Sequence, residues 1–124
     1  MDSFIMKAKV IPYTQEEIKS LFDYNNGALY WKPREVVSKF IKTWNAKFVG
    51  KEVGTVHKSG YKQVRLHDKI YPLHRLIWKY HNEDIDNDLQ IDHIDANKLN
   101  NDISNLRLVT AQENSQHREA MKCQ

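Results

Sequence analysis

Cysteine is almost missing from this chain: of 124 residues only Cys123, next to the C-terminus, carries a thiol. Disulfides within the chain are thereby excluded, and so is a zinc site built on cysteines. Long apolar runs are missing too. Apolar residues make up 40% of the sequence, yet no stretch approaches the ~18 consecutive residues that a membrane span needs. Met1 to Val10 lacks the continuous apolar core of a secretory signal. The expectation is a cytoplasmic protein with no membrane partner. No internal repeat or low-complexity tract is present, and the length suits a single domain over residues 1–124.

Charge of one sign is scarce in each part of the chain. Residues 1–80 hold 15 Lys and Arg against 7 Asp and Glu, whereas residues 81–124 hold 4 against 9. A basic body joined to an acidic tail piece suits a polyanion gripped by one part while carboxylates elsewhere do other work. A solvated surface of mixed charge would give the same balance.

Local patterns divide the chain. Thr14 and Glu17 have capping-box spacing ahead of Ile18, Leu21 and Phe22, which predicts a helix over Thr14–Phe22. Tyr24-Asn25-Asn26-Gly27 reads as a turn into a short strand, Ala28–Lys32. Residues 33–51 open at Pro33 and mix lysines with Phe40, Trp44 and Phe48, so a long loop or weak helix is expected. Glu52–His57, Tyr61–His67 and Ile70–Leu73 are strand-like runs separated by short turns, which predicts an antiparallel meander. His74–His81 then reads as a helix, followed by an acidic linker, Asn82–Asp88.

The stretch Leu89–Val109 alternates apolar residues with Asp92, His93, Asp95, Asn97, Asn100, Asn101, Asp102 and Asn105. Asn and Asp favour turns and tolerate left-handed backbone, so a strand, a tight loop and a second strand are expected. Thr110 and Glu113 form another capping box, opening a helix to about Met121. Asp92 and His93 are strand neighbours, so their side chains diverge. On the closing helix Asn114, His117, Arg118 and Met121 share a face. Packing of that helix across the strands would bring Asn114 to Asp92. A carboxylate and an amide oxygen suit a hard cation such as Mg²⁺, with room left for waters and a phosphate.

The run from Asp92 through Arg107, with Asn105 and then Glu113-Asn114, resembles the HNH homing-endonuclease motif of phage and intron-encoded nucleases. Gly27-Ala28-Leu29-Tyr30-Trp31, Gly60-Tyr61 and His74-Arg75-Leu76-Ile77-Trp78 are similar to the N-terminal part of phage members. The resemblance implies a ββα-metal unit over residues 89–121, behind a basic DNA-binding part over residues 1–81, in an α+β fold with a small antiparallel meander. It implies one divalent ion held by Asp92 and Asn114, with His93 as the general base. Asn105 would pin the loop, and Arg118 would hold a phosphate. Family members leave 5′-phosphate and 3′-hydroxyl ends. Asn114 and Arg118 stand where the colicin-like branch has histidine ligands, which favours Mg²⁺ or Mn²⁺ and makes zinc unlikely. Ala96 stands where many relatives carry glycine, a departure read as minor. Histidine in water titrates near pH ~6.5, so an imidazole in this place is able to accept a proton from water at physiological pH.

Double-stranded DNA is the expected partner, with the chain acting as a monomer or homodimer. Phosphate contacts are assigned to Arg34, Lys39, Lys42, Lys47 and Lys51, to Lys58 and Lys62 beside the Gly60 turn, and to Arg75 and His117. Trp31, Trp44 and Trp78 are read as packing residues. No zinc finger or helix-turn-helix is recognisable, so no base-reading element is assigned. The contrasting class is a non-catalytic DNA-binding module on the same scaffold. A protein-binding regulator would require an exposed apolar patch, and none is legible in the sequence.

Overall fold

The computed structural model describes residues 11–82, 89–110 and 112–113. Helix α1 (Gln15–Leu21) begins at the expected box: Thr14 Oγ1 accepts from the Glu17 amide, and Glu17 Oε1 accepts from the Thr14 amide. The helix ends one residue before the predicted limit, because Phe22 turns to extended backbone and starts β1 (Phe22–Asn25). Strand β2 (Ala28–Trp31) pairs antiparallel with it in the register Phe22 to Trp31. The expected turn is thus only its last two residues, Asn26 and Gly27, both at positive φ, as a two-residue hairpin loop requires.

Residues 33–51 are more ordered than the sequence suggests. Ser38 caps helix α2 (Lys39–Phe48), its side chain accepting from the Ile41 amide, and no residue of this helix is buried. Trp44 lies edge-on to Trp31, and the Arg34 guanidinium stacks 3.9 Å from the Trp44 ring centre. Asn45 clamps the backbone of Arg34, accepting from its amide and donating to its carbonyl. Aromatic stacking and one side-chain clamp therefore hold a helix whose lysines mask its pattern.

The meander forms in the expected order. Strands β3 (Thr55–Val56), β4 (Lys62–Leu66) and β5 (Lys69–Pro72) pair antiparallel in sequence. The first run is cut to two residues, because Glu52 bridges Tyr30 and the Val53 amide bonds to Leu29 instead. That exchange ties the hairpin to the meander. Helix α3 (Leu73–His81) buries Leu73, Leu76 and Ile77 in a cluster with Ile18, Phe22, Leu29, Val64 and Leu66. Each such buried side chain stabilises the fold by roughly 1.5–3 kcal/mol.

Strand β6 (Leu89–His93) and strand β7 (Leu106–Thr110) pair antiparallel, with a 3₁₀ turn at Ile103–Asn105 leading into β7. Ile91 and Leu106 join the same cluster. The second capping box is also formed: Glu113 Oε1 accepts from the Thr110 amide and Thr110 Oγ1 from the Glu113 amide. The rest of the closing helix lies outside the described residues. The result is the expected mixture of helices with antiparallel strands. No described helix is long and apolar enough to cross a membrane.

Candidate active site

Three adjacent residues at the end of β6, Ile91, Asp92 and His93, are all buried. A strand alternates its faces, so the first and third share a side and Asp92 takes the other. Asp92 faces Arg107, its cross-strand partner in β7, whose Nε and Nη2 both reach Oδ2 at 3.0 Å. Only 4% of Asp92 is exposed, and a buried carboxylate without such a counter-charge would be costly.

His93 points the other way, into a pocket of rings and one amide. Its Nε2 lies 2.8 Å from Oδ1 of Asn101, which is itself buried. The His74 ring meets it edge-on at 5.1 Å between centres, and Tyr61 stands 5.9 Å away. Burial, reinforced by the charges of His93 and Arg75, pushes the His74 imidazole down to about 3. His74 is therefore neutral at ordinary pH and adds no charge beside His93.

The loop between the strands is built from its own Asx side chains. Asp95 Oδ1 accepts from the Asn97 amide, and Asn97 Oδ1 from the Leu99 amide. Asn100 Oδ1 accepts from the Asp102 amide, and Asp102 Oδ1 from the Ser104 amide. Each bond replaces a backbone turn with a local side-chain one. Asn105 ties these turns together. Its Oδ1 accepts from the Asp95 amide, and its Nδ2 donates to Asp95 Oδ1 and to the Asn100 carbonyl. The bonds from Asn100, Asn97 and Asn105 hold the Asp95 carboxyl below its usual range. Ala96 adopts φ +64°, the left-handed region that glycine enters without strain. The absence of glycine here is thus a small local cost, which the sequence alone does not show.

Of the predicted site residues, Asp92, His93 and Asn105 all lie on this strand-loop-strand unit, Asp92 facing Arg107, His93 facing Asn101 and Asn105 bonded to Asp95 and Asn100. Asn114, His117 and Arg118 lie outside the described residues. Among the described residues no three His, Cys, Asp or Glu side chains cluster to hold a metal. Among the described residues Asp92 is the buried carboxylate next to His93; Arg107 holds its Oδ2, and a carboxylate oxygen suits a hard divalent cation.

The predicted phosphate contacts fall into two groups. Lys39, Lys42, Lys47, Lys51 and Lys58 are exposed. Of the other described ones, Arg34 stacks on Trp44 and Lys62 pairs with Glu52 at 2.6 Å, whereas Arg75 lies on α3 with a buried Nε that has no hydrogen-bond partner. Around Lys39 the apolar Val36, Val37 and Phe40 are strongly exposed, which the sequence does not reveal. Sequence reasoning also misses Asn101, Arg107, Tyr61 and Lys98. The last donates to the Ser59 carbonyl and sits 4.8 Å from the Tyr61 ring centre, joining the site loop to the meander turn. Spacing alone marks none of these contacts.

Comparison with known proteins places this geometry. The SPbeta prophage protein YosQ of Bacillus subtilis (strain 168), named as an HNH homing endonuclease, is 44% identical over 63 residues, covering 51% of this chain and 35% of its own. An uncharacterized HNH endonuclease of Acanthamoeba polyphaga mimivirus is 57% identical over 44 residues, covering 35% of this chain and 24% of its own. The chain thus spans about a third and a quarter of these relatives. The solved structure of DNA binding and cleavage by the HNH homing endonuclease I-HmuI superposes with a TM-score of 0.61 at 24% identity, over 89% of this chain and 58% of that one. At that identity the likeness speaks for the fold. Residues 71–116, from β5 through β7 and past the Thr110 capping box, match the model of the HNH endonuclease family.

Proposed function

We propose that this chain is a metal-dependent DNA endonuclease that hydrolyses phosphodiester bonds, with His93 as its general base. The observation that carries this is a buried imidazole at the end of β6, held at Nε2 by Asn101 and adjoining the buried carboxylate of Asp92, inside the segment that matches HNH endonucleases. In-line hydrolysis needs a group that takes a proton from water and a means to stabilise charge on the phosphoryl and leaving oxygens. His93 takes the proton. Asp92 and Asn114 would hold Mg²⁺ or Mn²⁺, and the chemistry such an ion would supply is charge stabilisation at the leaving oxygen. Asn105 keeps the loop closed around the base, and Arg118 holds a phosphate oxygen. Neutral His74 lets the imidazolium of His93 form without a second positive charge beside it. The exposed lysines of α2, with Lys51 and Lys58, grip the duplex backbone.

The test is incubation with supercoiled plasmid in Mg²⁺ or in EDTA. Relaxed or linear product is expected only with metal. His93→Ala should lower the cleavage rate about 10²–10⁴-fold while DNA binding is kept. Cutting by this variant at the parental rate would remove His93 as the base. Binding without cutting by the parent protein, in any divalent metal, would instead make the chain a DNA-binding module.

A further inference from the structure

We propose that Asn101 is a positioning residue that fixes His93 in its Nε2–H tautomer, leaving Nδ1 as the proton acceptor, and that the N-terminal hairpin holds Asn101 in place. The proposal rests on His93 being the base, but its central observable is measured without DNA.

A neutral imidazole has one N–H and one lone pair, and the partner of one nitrogen dictates the state of the other. An amide oxygen only accepts. With Oδ1 of Asn101 at 2.8 Å from Nε2, that nitrogen must donate, and the lone pair falls to Nδ1. Both partners are buried, at 5% and 2% exposure, so water competes weakly for the bond. His74 and Tyr61 wall the ring on other sides, which restricts its rotation.

Asn101 owes its own position to a distant part of the chain. A Cβ added at Gly27 would lie 2.7 Å from the Asp102 amide nitrogen and 3.1 Å from the Asn101 carbonyl carbon. The turn between β1 and β2 thus lies flat against the peptide that follows Asn101. The Tyr24 hydroxyl, from the same hairpin, accepts from the Ile103 amide at 3.0 Å. Tyr24 is in turn set edge-on against His81 of α3, with ring centres 4.4 Å apart. The hairpin lies before the segment 71–116 that matches the family, so the buttress comes from outside the matched unit.

The experiment reads the His93 tautomer by two-bond ¹H–¹⁵N correlation in labelled protein at pH 8, beside plasmid cleavage and DNA binding. The parent should show His93 as Nε2–H. Asn101→Leu, close in volume but without an acceptor, should give a mixed or reversed tautomer and a cleavage rate lowered about 10–100-fold, with the DNA Kd within twofold. Asn101→Asp, which keeps the acceptor, should restore the Nε2–H signal. Tyr24→Phe should lower the rate a few-fold in the same direction, and it remains informative if Asn101→Leu does not fold. An Nδ1–H signal in the parent, or a rate and tautomer unmoved by Asn101→Leu and Tyr24→Phe, would overturn the proposal. Absence of cleavage by the parent, with the tautomer as expected and lost in Asn101→Leu, would sink the endonuclease function and leave the positioning intact.

Discussion

Two surface regions of this protein are ordered by opposite means. The loop from Ile94 to Asn105 puts little apolar surface into the core, and consecutive Asx bonds from Asp95, Asn97, Asn100 and Asp102 hold it, with Asn105 tying them together. The segment from Pro33 to Phe48 is held by rings and a guanidinium, with Ser38 and Asn45 as its polar ties. It leaves Val37 and Phe40 more than three-quarters exposed among lysines. A loop locked by directional bonds presents fixed atoms, which suits chemistry. A cationic segment held by stacking presents charge and apolar surface, which suits contact with a long polyanion.

The largest effect that would sharpen this contrast is at Asn105. Replacing it with Ala deletes three hydrogen bonds, one of them to a carboxylate, and should destabilise the protein by about 3 kcal/mol, roughly a 10 °C drop in Tm. Calorimetry of the variant checks this. A loss below ~0.5 kcal/mol, the usual effect of a surface substitution, would mean that the loop is not locked in the way described.

The next effect is set by pH. His74, held at about 3 against an ordinary 6.5, binds fewer protons folded than unfolded. Its contribution is therefore intact above pH 6.5 and falls as the pH drops toward 3, amounting to a loss of about 2 kcal/mol by pH 5. Urea titrations at pH 7 and 5 measure the difference. The His74→Phe variant should show a flatter dependence, because it has no imidazole to protonate in the unfolded chain.

On the α2 side the expected change is in salt dependence rather than stability. Lys39 and Lys42 are exposed, so replacing both with Gln should leave Tm unchanged. If each neutralises one phosphate, the slope of log K against log salt should flatten by about 0.9 per lysine, with the rate on bound DNA unaltered. An unchanged slope would take α2 out of the DNA interface and break the division of labour drawn above.

Much of this was legible in the residues. Both capping boxes, Thr14 with Glu17 and Thr110 with Glu113, depend on contacts three residues apart and are formed as written. The meander and the strand-loop-strand unit follow from alternation and turn residues. Strand β1 was hidden because Phe22 also completes the apolar stripe of α1. Helix α2 was hidden because nothing on it is buried, so it has no periodic core face to read. The contacts that shape the site, Tyr24 to Ile103 and Asn101 to His93, join residues 79 and 8 apart. No local rule supplies such pairings. Likewise, Arg107 stands opposite Asp92 only because of a register set across a long loop, where turn length does not dictate the pairing.

The smallest effect tests the locked loop from its weakest point. Ala96 holds φ +64°, and its amide donates to the His93 carbonyl at 2.8 Å. An L-residue with a Cβ in this region is strained by about 1–2 kcal/mol. Glycine would relieve that strain but give the unfolded chain more freedom, an opposing term of about 0.4–1 kcal/mol. The net expectation for Ala96→Gly is a gain of up to about 1 kcal/mol, seen as a rise in Tm with the loop's hydrogen bonds unchanged. A fall in Tm would show that the surrounding Asx bonds make the left-handed turn strain-free for alanine, and the lock would then be tighter than its hydrogen bonds alone require.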